Sequence, residues 1–560
     1  MHLSHDQCPP WFFYNTTTKQ CECNISPFEV ADEIVKCTEH GVLLGKKFCM
    51  TYEEGEGVSI GYCQYFEFSG HNISQPGFIE LPDNTSELND YMCGPMNRKG
   101  ILCSECINGF GPSVTSPIFT CSNCKDIWYG VPLYLFVELV PVSVFYLVIL
   151  IFQINLTSAP MVGFIFYSHI VVIAITTQLA DQTNIFITII LILHGIWNLD
   201  FFRYAIPPFC ISPKLKIAHI LCLQSVSTVF PLILIGITWL CIDLYSRNFK
   251  VMVWLWKAVN RLIFKHINTK RDSKKTVIDT FATFFLLSYA KVTFMLLVPL
   301  HPLTVFTRSN LNISSTLHAI TDPSVKFVSG QHLPFVTICT LGFLLVLLPP
   351  VFILALYPTR AFRSLLFKCC PFMAELNIFV EKFYSCYRDG LDGGRDMRSL
   401  ASLYFFVILL CYILWTSIAA SLLTAVLFGV YSLVIALVQP YKERHMTVID
   451  SLILANMAIL SILLNKYTSA SSLYQILSVI SLVLPLFGLI IFIAYTKLFK
   501  NPLKKLCELL KRKHKSLLCC CNKDKKNNGV EGAEQGDVNP EGDGDLELPD
   551  RMVHPEEYVL

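Results

Sequence analysis

Charge is what this sequence has least of: Asp, Glu, Lys and Arg make up 15% of 560 residues, against 53% hydrophobic residues, and mean hydropathy is +0.50. That balance excludes a soluble multidomain protein and fits a bundle of membrane spans with polar ends. The chain also offers no nucleophile elbow, phosphate loop or metal-protease signature, so catalysis has no positive support. No cofactor, metal or nucleic-acid partner is implied. The opening MHLSHDQCPPW lacks an apolar run that could serve as a signal peptide; either the first span translocates its own N-terminus or the true start lies upstream, and the second is expected. The net charge of +2 hides a division of sign, with cations in a few loops and acids at the C-terminus.

Cysteine, by contrast, is dense in residues 1–125: Cys8, Cys21, Cys23, Cys37, Cys49, Cys63, Cys93, Cys103, Cys106, Cys121 and Cys124. In a stretch without long periodic helices this reads as a disulfide framework in an oxidising compartment, where cross-links replace a large core. The sequons at Asn15, Asn24, Asn72 and Asn84 agree with exposure to the secretory lumen. Eleven is an odd count, so one thiol is left free or pairs between chains, and a segment upstream of the given start could supply its partner. Cys103-Ser-Glu-Cys106 and Cys121-Ser-Asn-Cys124 have zinc-ribbon spacing, but in an oxidising lumen the disulfide reading outweighs the metal one.

Apolar runs follow at 128–152, 161–180, 217–244, 278–300, 333–357, 401–417, 422–438, 448–464 and 473–495, with a shorter one at 185–202. About 20 apolar residues cross a 30 Å core. The loop 245–275, rich in Lys and Arg, belongs in the cytosol by the positive-inside rule. From an external N-terminus this requires an odd number of crossings before it, so 185–202 is expected to be re-entrant. The loop 303–331, with the sequon at Asn312, then falls outside, and 360–398 falls inside. The expected fold is an all-α polytopic membrane bundle of about nine transmembrane helices plus a re-entrant segment. It carries a small disulfide-rich ectodomain at its N-terminus and a disordered C-terminal tail. The divisions are 1–125, cysteine-rich and extracellular; 126–497, the bundle; 498–527, basic and cysteine-bearing; and 528–560, acidic.

Two residues carry the functional question. Lys291 lies roughly 18 Å along its span from Asp279 at 1.5 Å per residue, close to mid-bilayer, where a lone cation costs on the order of 3 kcal/mol. Glu138, ten residues into the first span, reaches a similar depth and is the expected counter-ion. A structural pair and a conduction or proton-relay role are both open; a Schiff base on Lys291 has only general amine chemistry behind it. Asp279 and Asp450, in KKTVIDT and RHMTVIDS, are expected to cap their helices at the N-terminus. His169, Asn456 and Asp243 read as satisfied interior polar groups. The segment YRDGLDGGRD, with Asp389, Asp392 and Asp396, lacks EF-hand spacing and reads as a solvated hinge.

Within 245–275, Lys250, Lys257, Arg261 and Lys265 share one face with Trp254 and Ile263 among the apolar positions, as in an interfacial helix or an extension of the preceding span. After the last span, Cys519, Cys520 and Cys521 among lysines suit palmitoylation beside acidic lipid. The terminal EYVL could add a strand to a PDZ domain.

CPPWFFYNTTTKQCEC, CGPMNRKGILCSEC, IPPFCISPKL, RNFKVMVWLWK, IDTFATFFLLSYAK, YRDGLDGGRD and VQPYKERHMTVIDSL, in this order, resemble a large group of uncharacterised multi-pass proteins of marine invertebrates with cysteine-rich, EGF-like ectodomains. The resemblance covers nearly the whole chain. It implies the architecture and a longer N-terminus but no activity. The membrane half alone is faintly similar to TRP-like or polycystin-like channels. Two functions remain: a plasma-membrane receptor or adhesion-type protein binding an extracellular ligand, and an ion channel or transporter with Glu138 and Lys291 inside the bundle. Its partners on either reading are the lipid bilayer and that ligand or ion; the oligomeric state is open.

Overall fold

The computed structural model describes short segments of residues 12–38 and most of 41–495; the gaps include 63–77, 115–120, 125–129, 179–184, 202–208, 247–272, 391–394 and 415–419. Residues 1–490 form one compact unit, and of a second, 491–560, only 491–495 is described. The expected interfacial helix at 250–265, the Cys519 to Cys521 cluster, the tail 528–560, Cys8, Cys63, Asn24, Asn72, Asn84 and Asp392 lie outside the described residues.

The apolar runs form helices: α2 (Gly130–Phe152), α3 (Ala159–Gln178), α4 (Ile185–Gly195), α5 (Ile217–Gln224), α6 (Val226–Ser246), α7 (Ser273–Leu297), α8 (Leu333–Gly342) and α9 (Leu348–Leu356). They continue as α10 (Arg360–Cys369), α11 (Met373–Tyr384), α12 (Ala401–Leu414), α13 (Ala420–Val438), α14 (Arg444–Tyr467) and α15 (Ser472–Tyr495), and α1 (Leu88–Cys93) lies in the head. Five stretches are long and apolar enough to cross a membrane: Gly130–Leu150, His219–Leu244, Lys275–Leu300, Leu333–Leu356 and Arg444–Leu463. α7 is the axis of the core. Its Phe281, Phe285 and Tyr289 stack with Phe379 and Phe383 of α11 and Phe405 of α12.

The head is cross-linked as expected, but it is built of strands rather than loops. Antiparallel pairings join β1 (Phe12–Asn15) to β2 (Gln20–Cys23), and β4 (Gly41–Gly45) to β3 (Val35–Thr38) and β7 (Phe78–Glu80). Further on, β8 (Arg98–Lys99) pairs with β9 (Glu105–Cys106), and β10 (Phe110–Pro112) with β11 (Cys121–Asn123). The largest sheet has five strands in the order β14-β13-β12-β6-β5. Only β5 (Phe48–Glu53) and β6 (Gly57–Tyr62) come from the N-terminal segment; β12 (Pro302–Ser309), β13 (Asn312–Ala319) and β14 (Asp322–Lys326) come from the connection after α7. The all-α expectation is corrected accordingly, and 303–331 is a structural part of the head rather than a loop. Alternating β-branched and aromatic residues in LTVFTRS make a half-buried strand of it: Leu303 and Val305 are buried beside Leu44, Met50 and Ile60, while Thr304 is exposed. At the β5 edge, Asn89 of α1 accepts from the Tyr52 amide at 2.8 Å and donates to its carbonyl at 2.6 Å, taking the place of a sixth strand.

The expected disulfide framework is present, with one bond that leaves residues 1–125. Cys93 pairs with Cys103, Cys106 with Cys121, and Cys124 with Cys210, which lies beyond α4. Cys49 is also disulfide-bonded. Cys124 therefore finds its partner in this same chain, outside 1–125, rather than within the segment or in another chain. Gly111 makes room for that bond: a Cβ there would lie 2.6 Å from Cys210 Sγ and 2.7 Å from Cys124 Sγ.

Candidate functional site: a buried ion pair below a half-span helix

Lys291 meets Asp200, not Glu138. Its Nζ donates to Asp200 Oδ1 and, at 2.5 Å, to Ser227 Oγ, and the two charged side chains are only 4% and 5% exposed. Glu138 is buried too, on α2, which packs against α7, but matching depth does not match azimuth. Burial makes such a pair costly to assemble and costlier to break from one side, roughly 3–5 kcal/mol when one partner is removed.

Three local features build the pair. The 11 residues of α4 rise about 16 Å, half of a bilayer core. α4 then tightens into a 3₁₀ turn at Ile196–Asn198 and reverses: the Leu199 amide bonds the Ile196 carbonyl at 3.2 Å, and the Asp200 amide bonds the Gly195 carbonyl at 2.9 Å. This is a Schellman closure with Leu199 at φ 59°, where glycine is usual. A left-handed leucine costs on the order of 1–2 kcal/mol, offset here by its burial in the core, and the reversal aims Asp200 at α7. Ser227 opens α6 four residues before Pro231, which withholds the amide that would bond the Ser227 carbonyl. Hydroxyl and carbonyl of Ser227 thus enrich this point in acceptors.

A second polar group adjoins the turn. His194 Nδ1 lies 2.9 Å from Ser168 Oγ, and Asn198 Nδ2 donates to the Ser168 and His194 carbonyls at 3.5 and 3.4 Å. His169 bonds the Trp197 carbonyl at 3.0 Å through Nε2 and the Tyr404 hydroxyl at 3.1 Å through Nδ1. Tyr404 also lines a small cavity with Phe383, Cys386, Tyr387, Phe405 and Tyr441. On its far side the Tyr441 hydroxyl donates to Asp450 Oδ2 at 2.5 Å.

Neither Asp279 nor Asp450 is a cap. α7 begins at Ser273 and α14 at Arg444, so each acid lies six residues in. Asp279 pairs with Lys382 of α11 at 2.9 Å, and Asp450 faces α3, where Gly163 alone fits, a Cβ there falling 2.7 Å from Asp450 Oδ1. The presumed hinge is also laced down. Arg388 donates from its amide to the Pro440 carbonyl at 2.9 Å and from Nε to the Tyr441 carbonyl at 3.1 Å, Asp389 pairs with Lys442 at 3.3 Å, and Asp396 with Arg398 at 2.7 Å. Asn456, expected to be satisfied, donates to the Ser481 carbonyl at 2.8 Å. Asn15 lies on β1 and Asn312 on β13.

One string escaped the reading of catalytic motifs. Gly57–Tyr62 opens with GVSIG, the spacing of a nucleophile elbow. Ser59, however, is buried in mid-strand opposite Thr51 and Thr307, with no strand-to-helix turn, so the spacing is coincidental. No group of three or more metal-ligating side chains is found among the described residues. Asp200, Ser227 and Cys210 were the residues missed; the available signals were an acid closing an apolar run too short to span, a serine four before a proline, and one cysteine needed to even the count.

No family model, characterised protein or solved structure matches the chain. Its class is that of a membrane protein with several apolar spanning helices and a disulfide-bonded N-terminal region. What it does is argued from geometry alone.

Proposed function

We propose that the chain is a receptor-type plasma-membrane protein of nine spans and one re-entrant segment, with its head and glycosylated loops outside and its tail in the cytosol. One observation carries this reading: β12 to β14 complete the head's own sheet, so the head is built on the connection between α7 and α8. The Cys124–Cys210 bond fastens it a second time, just before α5. A ligand that shifts β5 and β6 pulls on the outer end of α7, the helix that holds Lys291. The same disulfide puts Cys210 on the head's side, which supports entry and exit of the α4 segment on one face. Palmitoylation of Cys519 to Cys521 and a PDZ-type partner at the C-terminus belong to the same reading.

A second reading, a channel or transporter, has the half-span α4 and the polar groups from His169 to Asp450 in its favour. Against a standing conduit is the burial of the Lys291–Asp200 pair, whose side chains are direct partners. The test uses the full chain, because residues 1–125 lack three strands of the main sheet. An antibody fragment raised against the head is added to protein in liposomes, and hydrogen exchange is read over residues 286–300. The receptor reading expects changed protection there and proton or monovalent-ion leak no greater than in empty liposomes. An unchanged bundle, or flux abolished by Lys291→Met, overturns it.

A further inference from the structure

The cytosolic end of the α8–α9 span bears a site for an anionic phospholipid headgroup, we infer, formed by Arg360 and Arg363 of α10. This span is the one most open to lipid: only 17% of it is buried, and Leu341, Leu345, Phe352 and Leu356 are exposed along it. Pro358 supplies no amide and ends α9; Thr359 turns the chain, its hydroxyl on the Leu356 carbonyl at 2.6 Å and its own carbonyl taking the Arg363 amide at 3.2 Å. A new helix, α10, starts at once and is strongly two-faced.

Its apolar side is left partly open. Leu365 is 59% exposed, with Ala361 and Phe362 one turn before it and Leu366 beside it. A leucine left open at the end of a lipid-facing helix fits the headgroup and acyl boundary rather than water. Arg360 is exposed at the start of α10. Arg363 lies with its guanidinium 5.6 Å from the Tyr357 ring centre and one nitrogen 3.4 Å from the Pro358 carbonyl. Its buried Nε–H meets no acceptor among the described residues. The nearby acids are engaged already: Asp396 by Arg398, and Glu381 by Asn377 Nδ2 at 3.0 Å. Net positive charge therefore faces the leaflet, and the exposed guanidinium of Arg360, with the half-exposed Arg363 one turn on, can take a phosphate oxygen there.

The test measures binding of dioleoyl phosphatidylserine and dioleoyl phosphatidylcholine to the purified full chain in detergent, by native mass spectrometry and by the shift in melting temperature. Phosphatidylserine should bind and stabilise in preference to phosphatidylcholine, more weakly at high salt. Arg360→Gln, at an exposed position, should lower its affinity roughly fivefold, and R360Q/R363Q together by more than tenfold. Leu365→Glu, also exposed and so neutral to folding, should weaken it as well. Equal binding of the two lipids, equal stabilisation by inorganic phosphate, or R360Q and L365E chains that bind like the parent would overturn the assignment.

Discussion

The two spans joined by the β12–β14 connection are opposites. Lys275–Leu300 is 72% buried within the protein and carries the cation; Leu333–Leu356 is 17% buried and carries no charge at all. Each solves the problem of polar groups in hydrocarbon in its own way. The buried span tolerates Lys291 because Asp200 and Ser227 replace water around its amine. The exposed span, interrupted by Pro349 and Pro350, widens into a π-helical turn at Phe343–Leu347, and borrows donors from inside. Tyr289 of α7 donates to the Leu347 carbonyl at 3.1 Å, and Tyr384 of α11 donates at 2.6 Å to the Leu354 carbonyl, which Pro358 leaves without its usual amide. Pro485 of α15 does the same to the Ser481 carbonyl, which takes Tyr167 and Asn456, each at 2.8 Å. At Pro358 and Pro485, then, a tyrosine hydroxyl of a neighbouring helix takes the place of the missing amide.

The comparison breaks first at the charge. Lys291→Met removes the cation that faces the buried Asp200, and should cost roughly 3–5 kcal/mol in a denaturation series of the detergent-solubilised chain, whereas Leu345→Met on the exposed span should leave the midpoint in place. A smaller effect is expected where head meets bundle. Cys210→Ser should cost about 2–5 kcal/mol and expose a single head thiol, Cys124, to alkylation while Cys93, Cys103, Cys106 and Cys121 stay protected. Smaller again, Tyr384→Phe strands a carbonyl and should cost about 1–3 kcal/mol. Pro358→Ala in that background should restore much of the loss, because alanine returns the missing amide; a further loss would show that the hydroxyl was not serving the proline gap.

The smallest expected effect is one of pH. His301, just beyond the buried span, lies with Nε2 3.0 Å from the Tyr412 carbonyl, and burial lowers its pKa below the usual 6.5. Its neutral form is the folded form, so its contribution is present above about pH 6.5 and lost as pH falls through the lowered folded value. His301→Asn should flatten the loss of stability between pH 7 and 5 relative to the parent; an unchanged slope contradicts this.

Sequence made the membrane class plain because twenty greasy residues have few alternatives, and the lone amine of Lys291 stood out for the same reason. It did not reveal Asp200, because counting residues gives depth but not the direction in which a turn points a carboxylate. Cys210 sits among FCIS, 86 residues beyond Cys124, and only the folded chain brings the two together. LTVFTRS and NISSTLHA had strand-like alternation between two spans, yet the strand that ties their hairpin to the head, β6 against LTVFTRS, lies far upstream, with Gly61 opposite Val305. Asp279 and Asp450 looked like caps because the basic residues before them read as loop, while the helices run through those residues.

A double-mutant cycle on Lys291→Met and Asp200→Leu is the most direct test of the buried pair that organises this account. Each single change should destabilise the protein strongly, and the double change should recover most of the loss, since two apolar side chains then fill the space of two charges. Losses that simply add, or an Asp200→Leu chain as stable as the parent, would contradict it.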